Sequence, residues 1–151
     1  MEAEKKSDRI IPAKEPVYPE GPKSRSYELF FAIKVFWQFI RAFRVLHFVG
    51  PCITVFGSAR FKEGTEYYNA AREIGKRIAA LGFTTMTGGG PGIMEAANRG
   101  AFESGGTSVG CSIILPHEQK ANAYLTRCVT FERFFSRKTI LIKYSYAFII
   151  M

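Results

Sequence analysis

Residues 83–101 read FTTMTGGGPGIMEAANRGA. Residues 83–87 form a β-branched, apolar run of strand length. Gly88, Gly89, Gly90, Pro91 and Gly92 then interrupt it. Pro91 suits a first helical turn, Met94, Ala97 and Ala101 recur at helical steps as a buried face, and Gly105 and Gly106 stop the helix. Strand, glycine turn and helix in that order are the repeating part of a parallel sheet with crossover helices.

The same alternation extends on both sides. Residues 52–56 read as the first strand, and Thr65 can cap a helix that directs Tyr68, Ala71, Ile74 and Ile78 inward and Arg72, Lys76 and Arg77 to water, ending at Gly82. Residues 109–115 and 128–131 read as a third and fourth strand, residues 133–144 as a helix, and residues 146–151 as a fifth strand that runs into the C-terminus. Ligands of doubly wound sheets bind beyond the carboxyl ends of strands, so a site loop is expected where the sequence stops, and the chain reads as part of a longer domain.

Upstream, residues 1–26 carry Pro12, Pro16, Pro19 and Pro22 among charges and read as a flexible tail. Over residues 27–49, Leu29, Ile33, Phe36, Trp37, Ile40 and Phe43 recur at steps of three and four, with Lys34, Gln38 and Arg41 on another face. This amphipathic helix is expected to pack on the following domain or on a second subunit rather than on a membrane surface, although basic amphipathic helices occur in both settings. The charges also deny it the ~20 apolar residues of a bilayer span. Three segments result: the tail at 1–26, the helix at 27–49 and the α/β domain at 50–151.

The 151 residues are 47% hydrophobic and 23% charged, which fits a chain that buries a core. Lys and Arg total 21 against 13 Asp and Glu, a net charge of +8 that favours phosphates, nucleotides or nucleic acid. Cys52, Cys111 and Cys128 are odd in number and far apart, which supports neither a disulfide scaffold nor a zinc site, and a reducing cytoplasm fits best. No second His or Cys lies at ligand spacing from His47 or His117, so no metal is expected.

Two glycine turns follow strands: Gly57 with Ser58, Ala59 and Arg60, and the run from Gly88. Glycines let a ligand approach the backbone, and a helix N-terminus offers free N–H groups to a phosphate. Neither turn matches a nucleotide fingerprint: GxxxxGK[ST] is absent and GxGxxG fails at Ile93, so a plain strand-to-helix turn explains the spacing equally. Ser58 lacks a GxSxG context and reads as a ligand-binding hydroxyl rather than a nucleophile. Arg137 and Lys138 can clamp a phosphate or can be solvated helix charges. Asp8 is the only aspartate, which leaves glutamates for acid–base chemistry. Among them Glu118 follows a strand in a loop, and Glu95 lies one turn into the helix after the glycines, where a negative charge also suits the helix dipole.

Taken together, residues 55–60, residues 88–97, residues 115–120, and Phe135, Ser136, Arg137 and Lys138 followed by residues 146–151 resemble the LOG (Lonely Guy) family of cytokinin riboside 5′-monophosphate phosphoribohydrolases and related AMP nucleosidase-like proteins, often misnamed lysine decarboxylases. The resemblance implies a Rossmann-like doubly wound parallel sheet, incomplete at its C-terminus and preceded by the amphipathic helix. It implies hydrolysis of a nucleoside 5′-monophosphate to base and ribose 5-phosphate, in a homo-oligomer, with no organic cofactor or metal required; from the reading of the helix, no membrane partner is expected. By position, Glu118 matches a substrate-binding glutamate, and 137 − 118 = 19 residues later Arg137 and Lys138 match an Arg-Lys pair whose arginine is implicated in catalysis. Ser58 and Gly88, Gly89 and Gly90 match nucleotide-contacting loops, and Lys138 is expected to hold phosphate. The family continues from its last strand into PGGxGTxxE, a phosphate loop with a second glutamate, whereas this sequence ends at Met151 before that point, so the activity is expected of the longer parent. The alternative is a nucleotide- or nucleic-acid-binding Rossmann module without turnover.

Overall fold

The computed structural model describes residues 21–114 and 121–151. Its elements in chain order are α1 (Arg25–Leu46), β1 (Cys52–Phe56), α2 (Glu66–Ala80), β2 (Thr84–Thr87), α3 (Ile93–Glu103), β3 (Ser108–Ile113), β4 (Arg127–Phe131), α4 (Phe134–Tyr144) and β5 (Ser145–Ile150). The strands form one parallel sheet in the order β4-β3-β2-β1-β5. From β1 the chain steps outward through β2, β3 and β4, then returns to the far side of β1 with β5. That reversal makes this an α/β, Rossmann-like sheet and puts its switch point beyond the carboxyl ends of β1 and β5.

Alternating strand side chains feed two cores. On one side Cys52, Met86, Val109, Cys111, Val129 and Phe131 pack with Ala42 and Leu46 of α1 and Ile140 and Leu141 of α4. On the other, Val55 packs with Tyr68, Ala71 and Ile78 of α2 and Ile93, Ala96 and Ala97 of α3. Thr65 caps α2 as expected, its Oγ1 accepting the Tyr68 N–H at 3.4 Å. The glycine inside α2 is explained by contact: a Cβ at Gly75 would lie 2.8 Å from the Ala97 carbonyl carbon, and one at Gly100 2.8 Å from that of Arg72. Ile74, expected inward, is half-buried because Gly75 takes the contact position.

Two expectations need correction. Pro91 precedes the helix rather than opening it, since Gly92 is the N-cap of α3. More consequentially, α1 turns the other way. Ala42 and Leu46 lie in the core with Phe39, Phe43 and Val45 packed against it, while Leu29, Ile33, Phe36 and Trp37 are exposed and Phe31, Val35 and Ile40 are half-buried. The helix has two apolar stripes, and the one containing small Ala42 allows the closer approach to the sheet, so periodicity alone could not choose between them. Gln38, assigned to the polar face, has both amide atoms buried without a hydrogen-bond partner. Helix α1 lies against β4: Lys34 pairs with Glu132 at 2.9 Å, and the Arg127 guanidinium donates to the Val45 carbonyl at 3.4 Å.

Candidate functional site

The glycine run leaves β2 at the carboxyl edge of the sheet. Gly89 and Gly92 have φ of +74° and +71°, a region other residues rarely occupy. Thr87 Oγ1 accepts the Gly89 N–H at 2.9 Å, and Asn122 donates from its backbone N–H to the Gly89 carbonyl at 2.9 Å and from Nδ2 to the Gly90 carbonyl at 3.1 Å. A Cβ at Gly92 would lie 2.5 Å from the Ser58 carbonyl oxygen, which accepts the Ile93 N–H at 3.1 Å. The two glycine turns are thus locked together at the start of α3. Gly88, Gly89 and Gly90 are themselves buried. In this geometry they shape the floor of the site and let neighbours close over it, rather than lining an open surface.

One of those neighbours is Arg137, in the first turn of α4. Its Nε donates to the Cys111 carbonyl at 2.6 Å, and the guanidinium lies directly over Gly88, where an added Cβ would crowd its Nη2 and the Met94 sulfur, at 2.7 Å, and push those side-chain ends aside. The side chain is half-buried, and burial pulls the Arg137 pKa below its ordinary value, partly opposed by Cys111. Arginine nonetheless remains charged at any ordinary pH. Cys111 supplies no counter-charge, because burial pushes its thiol up to about 12. No carboxylate pairs with Arg137 among the described residues, and the Cys111 carbonyl is the single hydrogen-bond acceptor it has there. A partly desolvated cation with spare donors at the carboxyl edge of the sheet is suited to bind an anion bidentately.

The other expected residues are placed less tightly. Ser58 is half-buried, and its Oγ accepts the Arg60 N–H at 3.2 Å, a local turn contact. Lys138 is exposed on α4, and one residue of helix turns it about 100° away from Arg137, so the two are not brought together as a clamp. Glu118 and His117 lie outside the described residues. Glu95 receives a hydrogen bond from the Tyr68 hydroxyl at 3.0 Å and serves the α2–α3 contact. No group of three or more His, Cys, Asp or Glu among the described residues is arranged to hold a metal ion, and no described helix is long and apolar enough to cross a membrane.

Sequence reasoning missed the buried polar network under the glycines. Asn98 Oδ1 accepts from Thr87 Oγ1 at 2.5 Å and from Asn122 Nδ2 at 3.1 Å, while its Nδ2 donates to Ser108 Oγ at 2.8 Å. Thr87, Asn98 and Ser108 are all buried. These bonds tie the end of β2, the middle of α3, the start of β3 and the segment at Asn122 to one another, fixing the loop that supports Arg137. A signal was present: Asn98 stands beside Ala97 in the inward stripe of α3, where a polar side chain requires partners.

The fold is therefore that of a Rossmann-like protein, with the half-buried Arg137 guanidinium at the carboxyl edge of its sheet. Residues 51–151 match the model of the SLOG cluster4 family, a LOG-like family, and the chain belongs to it. Among solved structures it is similar to TM1055, a structural-genomics target, with 28% identity and a TM-score of 0.55 over 67% of this chain and 60% of that one. It is likewise similar to the molybdenum cofactor carrier protein of Chlamydomonas reinhardtii, with 30% identity and a TM-score of 0.54 over 67% of this chain and 62% of that one. The molybdenum cofactor binding protein of Rippkaea orientalis shows 27% identity and a TM-score of 0.55 over 67% and 61%. The chain thus spans about three-fifths of the length of these relatives. No curated protein matches it.

Proposed function

We propose that this chain supplies the anion-binding side of a site for a phosphate-bearing heterocyclic ligand, with a nucleoside 5′-monophosphate as the first candidate. The observation that carries the reading is Arg137: a half-buried guanidinium without a carboxylate partner among the described residues, seated over Gly88 at the carboxyl edge of the sheet. The phosphate or ribose oxygens would take the donors that the Cys111 carbonyl leaves free. The relatives described as a carrier and a binding protein of the molybdenum cofactor support a site that holds its ligand, with or without turnover.

Within that reading, the LOG resemblance supports hydrolysis by the longer parent. Water would add its hydroxyl to the ribose C1′ as the N-glycosidic bond breaks, and its proton would pass to the departing base. Arg137 would stabilise negative charge developing on the phosphoribosyl or base side, Glu118 would bind substrate, and Lys138 would reach the phosphate from the exposed face of α4. The oligomer implied by the same resemblance belongs to this proposal.

Calorimetric titration with AMP, run beside chromatographic detection of released adenine, separates the two forms of the proposal. Binding with adenine release supports the hydrolase, and removing Arg137 from a releasing parent should lower turnover roughly 10²-fold. Binding without release supports the carrier-like module. Absence of both across purine monophosphates defeats the nucleotide reading.

A further inference from the structure

The outward stripe of α1 is a feature that the ligand site leaves unused. Leu29, Ile33, Phe36 and Trp37 recur at helical steps opposite the inward Ala42 and Leu46, with Phe30 beside them, and Trp37 is 62% exposed. Along the same helix Arg25, Lys34, Arg41 and Arg44 are exposed against a single acid, Glu28. Lys34 has Glu132, but Arg25, Arg41 and Arg44 form no ion pair among the described residues. Helix α4, on the same side of the sheet, contains no acid, and it adds the exposed Lys143 and the exposed Phe134.

The opposite side of the sheet shows that this is not the general character of the surface. On α2 and α3, Arg72 and Arg99 both bond Glu103, Arg99 also pairs with Glu63, and Arg77 pairs with Glu73 at 3.0 Å. Three bases there, Arg72, Arg77 and Arg99, are matched by acids, whereas on α1 Arg25, Arg41 and Arg44 stand beside bulky apolar groups with no ion pair among the described residues.

From this charge complementarity we infer that the outer face of α1 docks on an anionic lipid surface, lying flat in the headgroup region with Trp37, Phe36, Ile33 and Leu29 toward the acyl chains. Aromatic and aliphatic residues on one stripe, flanked by arginine and lysine, bind anionic bilayers by adding apolar burial to electrostatic attraction. A second copy of the chain fits less well, because pairing this face with itself sets four bases and one acid against the same set, and the repulsion grows as the apolar contact closes. A nucleic acid matches the charge but leaves the aliphatic Leu29 and Ile33 with no apolar partner.

The chain carries its own reporter, since Trp37 is its only tryptophan. The full chain is mixed with vesicles of phosphatidylcholine alone, or of phosphatidylcholine with phosphatidylglycerol, while Trp37 emission and co-sedimentation are followed. A short DNA duplex forms a third arm. The expected result is a shift of emission to shorter wavelength and co-sedimentation with the phosphatidylglycerol vesicles, quenching by lipids brominated on their acyl chains, and weaker partition for Arg41→Gln and Arg44→Gln, about five-fold per residue. Equal partition to both vesicle types, or to neither, overturns the inference. So does a Trp37 emission that is already at short wavelength without lipid and relaxes on dilution, which gives the face to a second copy, or a response to DNA with none to vesicles.

Discussion

On the α2–α3 side of the sheet the backbones of two helices meet through Gly75 and Gly100, and Arg72, Arg77 and Arg99 are held by Glu63, Glu73 and Glu103. On the α1–α4 side the helices stand off on larger side chains, Arg137 has a carbonyl in place of a carboxylate, and Trp37 and its neighbours face outward. Both layers cover the same sheet with the same kinds of element. The first satisfies its own groups and holds the architecture, whereas the second keeps donors and apolar area available to other molecules. Stability should therefore be sensitive on one side and binding on the other.

The strongest test of that division is a pair of substitutions. Gly100→Ala forces a Cβ against the Arg72 backbone and should cost about 3 kcal/mol, lowering the melting temperature by roughly 6–12 °C. Ile33→Ser on the outer stripe of α1 should stay within about 0.5 kcal/mol of the parent. Equal losses in thermal melts would erase the distinction between the layers.

Asn98→Ala comes next. It strips partners from Thr87, Ser108 and Asn122 around one buried point and should cost about 2 kcal/mol by denaturant titration, while also loosening the glycine loop enough to weaken AMP binding. A loss of stability with AMP affinity unchanged would separate the network from the site.

The smallest expected effect is electrostatic. Hydrogen bonds from Arg99 and then Arg72 hold the Glu103 carboxyl below its ordinary value of 4.5. Because the folded-state value is depressed, the contribution is present above about pH 4.5 and is lost as the pH falls through the lower, folded-state value. Glu103→Gln should remove that part of the acid-side decline, an effect of less than about 1 kcal/mol for so exposed a cluster. Parallel stability–pH curves for the two proteins would count against this role for the ion-pair cluster.

Much of the sheet was legible because its signals were local. β1 begins and ends where its apolar run does, Thr65 caps the helix it precedes, and the glycines after β2 mark the turn into α3. The face of α1 was not, since both of its stripes satisfy a helical period and the choice depends on how closely Ala42 approaches the sheet. The site was half legible. Arg137 and Lys138 look alike as neighbours in the sequence, and it is β3, with the glycine turn that follows β2, that gives one of them a carbonyl and a glycine to rest on and leaves the other exposed.

The central claim is that Arg137 is held ready for an anion. Calorimetric titration of AMP into the full chain and into Arg137→Ala tests it most directly, with thermal melts of both to establish that each is folded. The account predicts binding by the parent and an affinity at least about ten-fold weaker in the variant, the loss expected for one charged hydrogen-bonding group. Equal affinity in two folded proteins would contradict it.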